Sequence, residues 1–566
     1  MTSLSPLRAT LDFLVNDWLH VDEDRATVDG LLDLAEGIAT DHFLSHYKLV
    51  DAQEPRLDAE GVHAHPAIAP ALRHYADAGL FAAGFAPELG GMGLPALLNS
   101  ASFALFAAAN ISTAAYPMLT TANARLIATF GTPAQIDAFA RPEIEGRWFG
   151  TMCLSEPQAG SSLGDIRTRA VADGEDALGA RYRLTGNKMW ISGGDQDVSE
   201  NIVHLVLAKV PDADGTLPEG TGGISLFIVP KILADGSRND VAVAGLNHKM
   251  GYRGIPNCLL NLGERDGAIG WRVGEPGQGL RQMFLMMNEA RIGVATGAAA
   301  LAMRGYALAL EYARDRAQGR SVGTRGGAPV AIVAHADVRH MLLQQKVYAE
   351  GALALCLYCA ALVDSGVEAL LGLLTPVAKT WASEFGLAAN DLAIQVHGGY
   401  GYTRDFDVEQ LWRDNRLNPI HEGTTGIQAI DLIGRKLLRS NDGAYAELRA
   451  RIAATAERAG AASLGDVAEA VNAAWTKIDA TLDRLRDQPQ AAHDNATAFL
   501  RAFGHATIGW LWLDIALASG CDDDQAVGRR HAARYFAHHE LPRVGAWLAP
   551  VDALDRLAAG MPEGGF

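Results

Sequence analysis

The period of apolar and polar positions changes twice along the chain. Up to about residue 147 apolar residues recur at helical spacing. Leu7, Leu11, Leu14, Val15 and Trp18 fall on one helical face, and "SFALFAAANISTAAYPMLTTANARLIATF" predicts a long helix rich in small residues. "APELGGMGLP" reads as a Gly/Pro turn between helices. From about residue 148 the texture becomes short β-rich runs bounded by Gly, Asp and Pro, as in "YRLTGNKMWISGG", "NIVHLVLAKV" and "GGISLFIVP". Helical texture returns at Gly279 and continues through "DVRHMLLQQKVYAEGALALCLYCAALV" and "PVAKTWASEFGLAANDLAIQVHGG". Polar residues near Ser440 mark a boundary, and residues 441–566 read as Ala-rich helices with one apolar stretch, "IGWLWLDIALA". The pattern predicts an α+β chain in four blocks: helical 1–147, β 148–278, helical 279–440 and helical 441–566.

A length of 566 residues is too much for one core, and three or four domains or lobes are expected. The net charge of −18 argues against nucleic acid as the main ligand and for a soluble acidic protein, in which an anionic ligand needs a local cluster of donors. The cysteines are Cys153, Cys258, Cys356, Cys359 and Cys521, a sparse, odd set that suits a reducing cytoplasm. The CxxC of Cys356 and Cys359 sits in a helical run, so its spacing is that of a helix face and core packing is expected. Acidic residues interrupt the first helical run and no basic n-region precedes it, so a signal peptide is not expected. The nearest approach to a membrane span, "GVATGAAALAMRGYALAL", is interrupted by Arg304 and reads as a buried bundle helix. Integral membrane association is not expected; peripheral association stays open.

Three segments could carry chemistry. "MCLSEPQAGSSLGDIRTRA" holds consecutive hydroxyl-rich turns, which suit polar ring edges or phosphates, or simply a hairpin loop. "NKMWISGG" places Trp190 and Ser192 at alternating strand positions, one aromatic and one hydroxyl on the same face, suited to a flat cofactor or to a core Trp beside a solvated Ser. "NPIHEGTTGIQ" offers one carboxylate, Glu422, followed by Gly423, which permits close approach of a ligand; the alternative is a first-turn carboxylate favoured by the helix dipole. "QVHGGYGYTRDF" is no dinucleotide fingerprint, since a helix rather than a strand precedes it, and a nicotinamide cofactor is rejected. No spacing supports a metal site.

The ordered set "MCLSEPQAGSS", "NKMWISGG", "HKMGYRG", "NEARIGVATGA", "QVHGGYGYTRDF" and "IHEGTTGIQ" resembles the acyl-CoA dehydrogenase superfamily. The likeness covers roughly residues 30 to 438, and the added helices at both ends resemble a longer bacterial subgroup that includes 3-methylthiopropionyl-CoA dehydrogenase-like enzymes. The resemblance implies an N-terminal helical domain, a middle β-barrel-like domain and a C-terminal four-helix bundle, with an extra helical domain after it. It implies FAD bound between the β domain and the C-terminal helices. Leu154 and Ser155 would meet the pyrimidine edge of the flavin, and Trp190 and Ser192 would flank the ring near N5. Arg316 matches the start of an RxxFG pattern that reaches the diphosphate of a neighbouring subunit's FAD, although Gly319 stands where the phenylalanine would. Gln395, Gly398 and Gly399 match the segment that holds the adenine half of the partner's FAD, and Thr424 resembles a diphosphate contact. Ser161 and Arg291 match CoA contacts, while His421 and Gly423 line the acyl pocket.

By the same resemblance Glu422 is the base that removes the α-proton of the thioester, FAD takes the β-hydrogen as hydride, and an electron-transfer flavoprotein receives the electrons. Shared FAD contacts imply at least a dimer, and extra helices covering one face point to a homodimer. Two further readings stay open: an acyl-CoA oxidase that reduces O₂, and a non-catalytic scaffold that kept the fold. The acyl chain is not legible.

Overall fold

The computed structural model describes residues 4–323, 326–460, 463–520 and 523–566. The chain forms two compact units, one of Met1–Leu32, Ala96–Ala108 and Val294–Phe566, the other of Asp33–Pro95 and Ala109–Gly293.

The second unit carries the β block. A two-residue hairpin, β1 (Arg56–Leu57) with β2 (Val62–His63), interrupts the helical N-terminal region, which the periodicity had assigned to helices throughout. Among the described residues eight strands follow: β3 (Trp148–Cys153), β4 (Arg169–Asp176), β5 (Gly179–Ser192), β6 (Asn201–Lys209), β7 (Ile224–Pro230), β8 (Val241–Leu246), β9 (Asn257–Leu262) and β10 (Ala268–Val273). The path runs β10-β7-β6-β4-β5-β9-β8, and β10 also pairs with β5, so the sheet curls back on itself and the middle domain is barrel-like. All nine residues of β6 and all seven of β7 are buried, which explains why neither strand alternates: a strand covered on both faces need not.

The long helix expected over the small-residue run is Ala96–Phe130. It kinks at Asn110, whose backbone leaves helical geometry (φ −162°, ψ 93°) and whose side-chain amide donates to the Phe43 carbonyl at 3.2 Å. Among the described residues three helices, Ala96–Phe130, Gly279–Asp315 and Ala336–Asp364, are long and apolar enough to cross a membrane by length and composition. Between 78% and 83% of each apolar window is nevertheless buried inside the protein, so packing accounts for their hydropathy. Within the third of these helices Cys356 and Cys359 are buried free thiols, and burial pushes Cys356 up to about 12, as core packing requires. Cys521 lies outside the described residues.

The first unit joins the bundle helices to the C-terminal region. Ile508, Trp510, Leu511, Trp512 and Ile515 are each no more than 2% exposed in the Ala496–Ala518 helix, and the Trp512 indole donates to the Val347 carbonyl of the bundle at 3.1 Å. The N-terminal helix docks here too, with the Trp18 indole donating to Asp514 at 2.9 Å. A buried polar network fixes the register of this packing. The Trp381 indole is donor-only, so Nδ1 of His505 accepts from it (2.9 Å) and Nε2 carries the hydrogen facing Glu540 (3.2 Å). Glu540 also accepts from Tyr348 at 2.7 Å and pairs with Arg543 at 3.2 Å. Burial lowers the His505 pKa against the opposing pull of Glu540, which favours the neutral ring.

Candidate active site

The residues singled out in the sequence fall into two sets, one in each unit. In the β-containing unit, Leu154 and Ser155 leave the end of β3, and Trp190 and Ser192 end β5. These two segments lie side by side: the Met189 N–H donates to the Ser155 carbonyl at 3.0 Å, and the Lys188 ammonium donates to the Leu154 carbonyl at 3.1 Å. Lys188 also pairs with Glu156 at 2.9 Å, both side chains being almost completely buried. Glu156 accepts in addition from the Arg167 and Thr168 backbone N–H groups (2.7 and 3.0 Å) and from the Thr168 hydroxyl (2.6 Å). Burial acts to raise this carboxyl, but the ammonium and these donors outweigh it and hold it down at about 2.

Strict alternation fails across this strand. Pairing with β9 shifts between Lys188 and Ile191, a bulge that takes Trp190 to φ 66° and turns its ring outward while Lys188 and Ile191 stay buried. Trp190 is 59% exposed, and the Ser192 hydroxyl accepts from the Asn257 amide at 3.3 Å. An exposed indole on a strained backbone, beside the polar 154–155 edge, fits a flat heteroaromatic ring better than it fits a core. Ser161 is exposed in the following loop, whereas Arg291 is only 5% exposed and donates to Asn288 at 3.3 Å.

In the other unit, Glu422 occupies a loop between the Val408–Asn415 and Thr425–Ile430 helices. It takes a left-handed backbone, φ 52°, and Gly423 follows at φ 89°, where glycine meets no Cβ penalty. Lys379, fully buried in the Glu368–His397 helix, donates to the Asn418 and Gly423 carbonyls, each at 2.7 Å, and so grips the loop on both sides of Glu422. The Gln428 amide donates to the Glu422 carbonyl at 3.1 Å, and the Thr424 hydroxyl caps the Ile427 N–H at 3.4 Å. His421 contacts the Asn418 side-chain oxygen at 3.1 Å, and burial together with the nearby Lys379 ammonium pushes it down to about 3. Gln395, Gly398 and Gly399 lie exposed at the end of the Glu368–His397 helix, which Gly398 terminates at φ 60°. Stacking of Tyr312 on His397 at 4.4 Å brings this end beside the segment that carries exposed Arg316.

Lys188, Glu156 and Lys379 escaped the sequence reading. The available signal was a lysine inside an otherwise apolar run, in "NKMWIS" and in "PVAKTWAS": a charge placed where neighbours are buried needs a partner.

The chain matches the acyl-CoA dehydrogenase N-terminal domain over residues 46–147, the middle domain over 151–264 and the C-terminal domain over 277–438. Residues 448–562 match an acetyl-CoA dehydrogenase C-terminal-like domain. It is 35% identical over 523 residues to 3-methylmercaptopropionyl-CoA dehydrogenase of Ruegeria pomeroyi, covering 88% of this chain and 87% of that one. Two solved structures share the fold: ACDH-11 of Caenorhabditis elegans in complex with C11-CoA (TM-score 0.80, 22% identity, 96% of this chain and 93% of that one) and an acyl-CoA dehydrogenase of Bacillus anthracis complexed with FAD (TM-score 0.76, 19% identity, 96% and 90%). Together with the helical–sheet–helical architecture, these matches establish that the chain belongs to the acyl-CoA dehydrogenase family, FAD-dependent oxidoreductases that act on acyl-CoA.

Proposed function

We propose that the protein converts an acyl-CoA thioester to the trans-2-enoyl-CoA, with Glu422 as the base for the α-proton. The observation that carries this reading is the strained, doubly anchored loop: a carboxylate held at φ 52° with both flanks fixed by one buried lysine. Bound FAD supplies the hydride acceptor. Leu154, Ser155, Trp190 and Ser192 hold and orient the flavin, and the outward indole shields its ring from water. Arg316 serves the diphosphate, and Gln395, Gly398 and Gly399 the adenine half, of a neighbouring subunit's FAD, while Thr424 serves the flavin diphosphate. Ser161 and Arg291 serve the CoA portion, and His421 and Gly423 line the acyl pocket.

Electrons leave to an electron-transfer flavoprotein, and the protein acts in the cytoplasm as a homodimer. The exposed Gly398–Tyr402 turn, with Tyr402 91% exposed, supports a face that a second subunit covers. Sedimentation at assay concentration is expected to give a dimer; a monomer overturns that assignment.

The function is tested by adding acyl-CoA thioesters of graded length, including the methylthiopropionyl thioester, to the protein without air. Loss of flavin absorbance with at least one of them, and dye reduction without peroxide in air, is the expected result. Peroxide formed with acyl-CoA alone identifies an oxidase instead. Trp190→Ala is expected to alter the flavin spectrum and weaken FAD binding; an unchanged spectrum and affinity remove Trp190 from the cofactor site.

A further inference from the structure

The C-terminal helical region does more than cover the bundle. We infer that it holds the base-bearing loop in its working conformation through Arg501, and that Arg501, Glu384 and Thr425 are positioning residues for proton removal. The inference rests on the reading of Glu422 as the base.

Arg501 lies in the first turns of the Ala496–Ala518 helix. Its guanidinium grips Glu384 with two hydrogen bonds, Nε to Oε2 at 2.8 Å and Nη2 to Oε1 at 3.2 Å. Such a forked pair fixes the carboxylate in direction as well as in place. Oε1 of Glu384 then accepts from the Thr425 hydroxyl at 3.0 Å. Thr425 opens the Thr425–Ile430 helix, three residues beyond Glu422, and Gln428 of the same helix donates to the Glu422 carbonyl at 3.1 Å.

Glu384 stands five residues after Lys379 on the Glu368–His397 helix. That one helix therefore grips the loop twice. Lys379 holds the carbonyls of Asn418 and Gly423, and Glu384 holds the hydroxyl of Thr425. Glu422 lies between these anchors in a backbone conformation that side-chain-bearing residues rarely adopt. Such a conformation persists only where the surroundings over-determine it. Lys379 is completely buried and cannot reorient, but Glu384 is 19% exposed and long enough to take other rotamers. Arg501 removes that freedom. The chain of contacts thus runs from a residue outside the bundle to the loop that carries the base.

Proton abstraction from carbon is sensitive to the placement of the base, and a misplacement of about 1 Å can cost roughly 100-fold. Arg501→Met and Thr425→Val should each slow anaerobic flavin bleaching by about 10- to 100-fold. The KM for acyl-CoA and the flavin spectrum should hardly move, and the isotope effect with α-deuterated substrate should rise as proton removal becomes limiting. Arg501→Lys should restore part of the rate. The double variant should lose little more than either single one, because both break the same chain of contacts.

Parent bleaching rates in both single variants, with Glu422→Gln inactive, overturn the inference and leave the base assignment standing. A loss confined to KM, or one matched by equal loss of bound FAD, overturns it as well. Parent-like bleaching by Glu422→Gln removes the base assignment itself, and the inference falls with it.

Discussion

Glu422→Gln is expected to retain the fold, bound FAD and acyl-CoA affinity, yet to bleach its flavin roughly 10²- to 10⁴-fold more slowly than the parent when acyl-CoA is added without air. Glutamine preserves the shape of the side chain and removes only the proton acceptor. The rival bases are disfavoured on physical grounds. Ala290, the residue before Arg291 on the long helix, has no acceptor, and Glu289 is rotated by about 100° from that direction. Burial raises the Glu289 carboxyl against the pull of Arg125, to which it is paired at 3.0 Å, so direction and pairing rather than weak basicity count against it. His421, pushed down to about 3, is too feeble a base for a carbon acid. Bleaching at a rate close to the parent's would sink the assignment and return attention to Glu289 and His421.

Lys188→Met is expected to cost about 3–5 kcal/mol in stability, because it leaves the Glu156 carboxylate buried without its cation. The loss should reach function, since Lys188 ties the Leu154 carbonyl to the strand that carries Trp190. The measurements are the FAD-to-protein ratio after gel filtration and the thermal midpoint. Both should fall, and adding Glu156→Gln should recover part of the midpoint by removing the orphaned charge. A single variant with parental midpoint and FAD content would show that the pair contributes nothing. The pH dependence follows from the same carboxyl. Its folded pKa of about 2 lies below the ordinary 4.5, so its stabilisation is complete above about 4.5 and is lost as pH falls toward 2. In Lys188→Met this acid-side loss should shrink, since the unpaired buried carboxyl takes up a proton more readily.

The order of helical and β blocks, the long helix over the "SFALFAAAN" run, the burial of "IGWLWLDIALA" and the helical, buried setting of Cys356 and Cys359 were all legible along the chain. Those features follow from period and propensity, which act over a few residues and are therefore written locally. The ordered motifs likewise made the family legible. The hairpin at Arg56–His63 was not legible, because two-residue strands have no period to detect. Nor was the bulge that turns Trp190 outward, since it depends on the register of β5 against β9. The fixing of the site lay beyond local reading altogether. Glu156 meets Lys188 across 32 positions, Lys379 meets Asn418 across 39, and Arg501 meets Glu384 across 117. Only the closed tertiary structure chooses such partners: a buried charge announces in sequence that it must be satisfied, but which distant group satisfies it is decided when packing brings the segments together and excludes water between them.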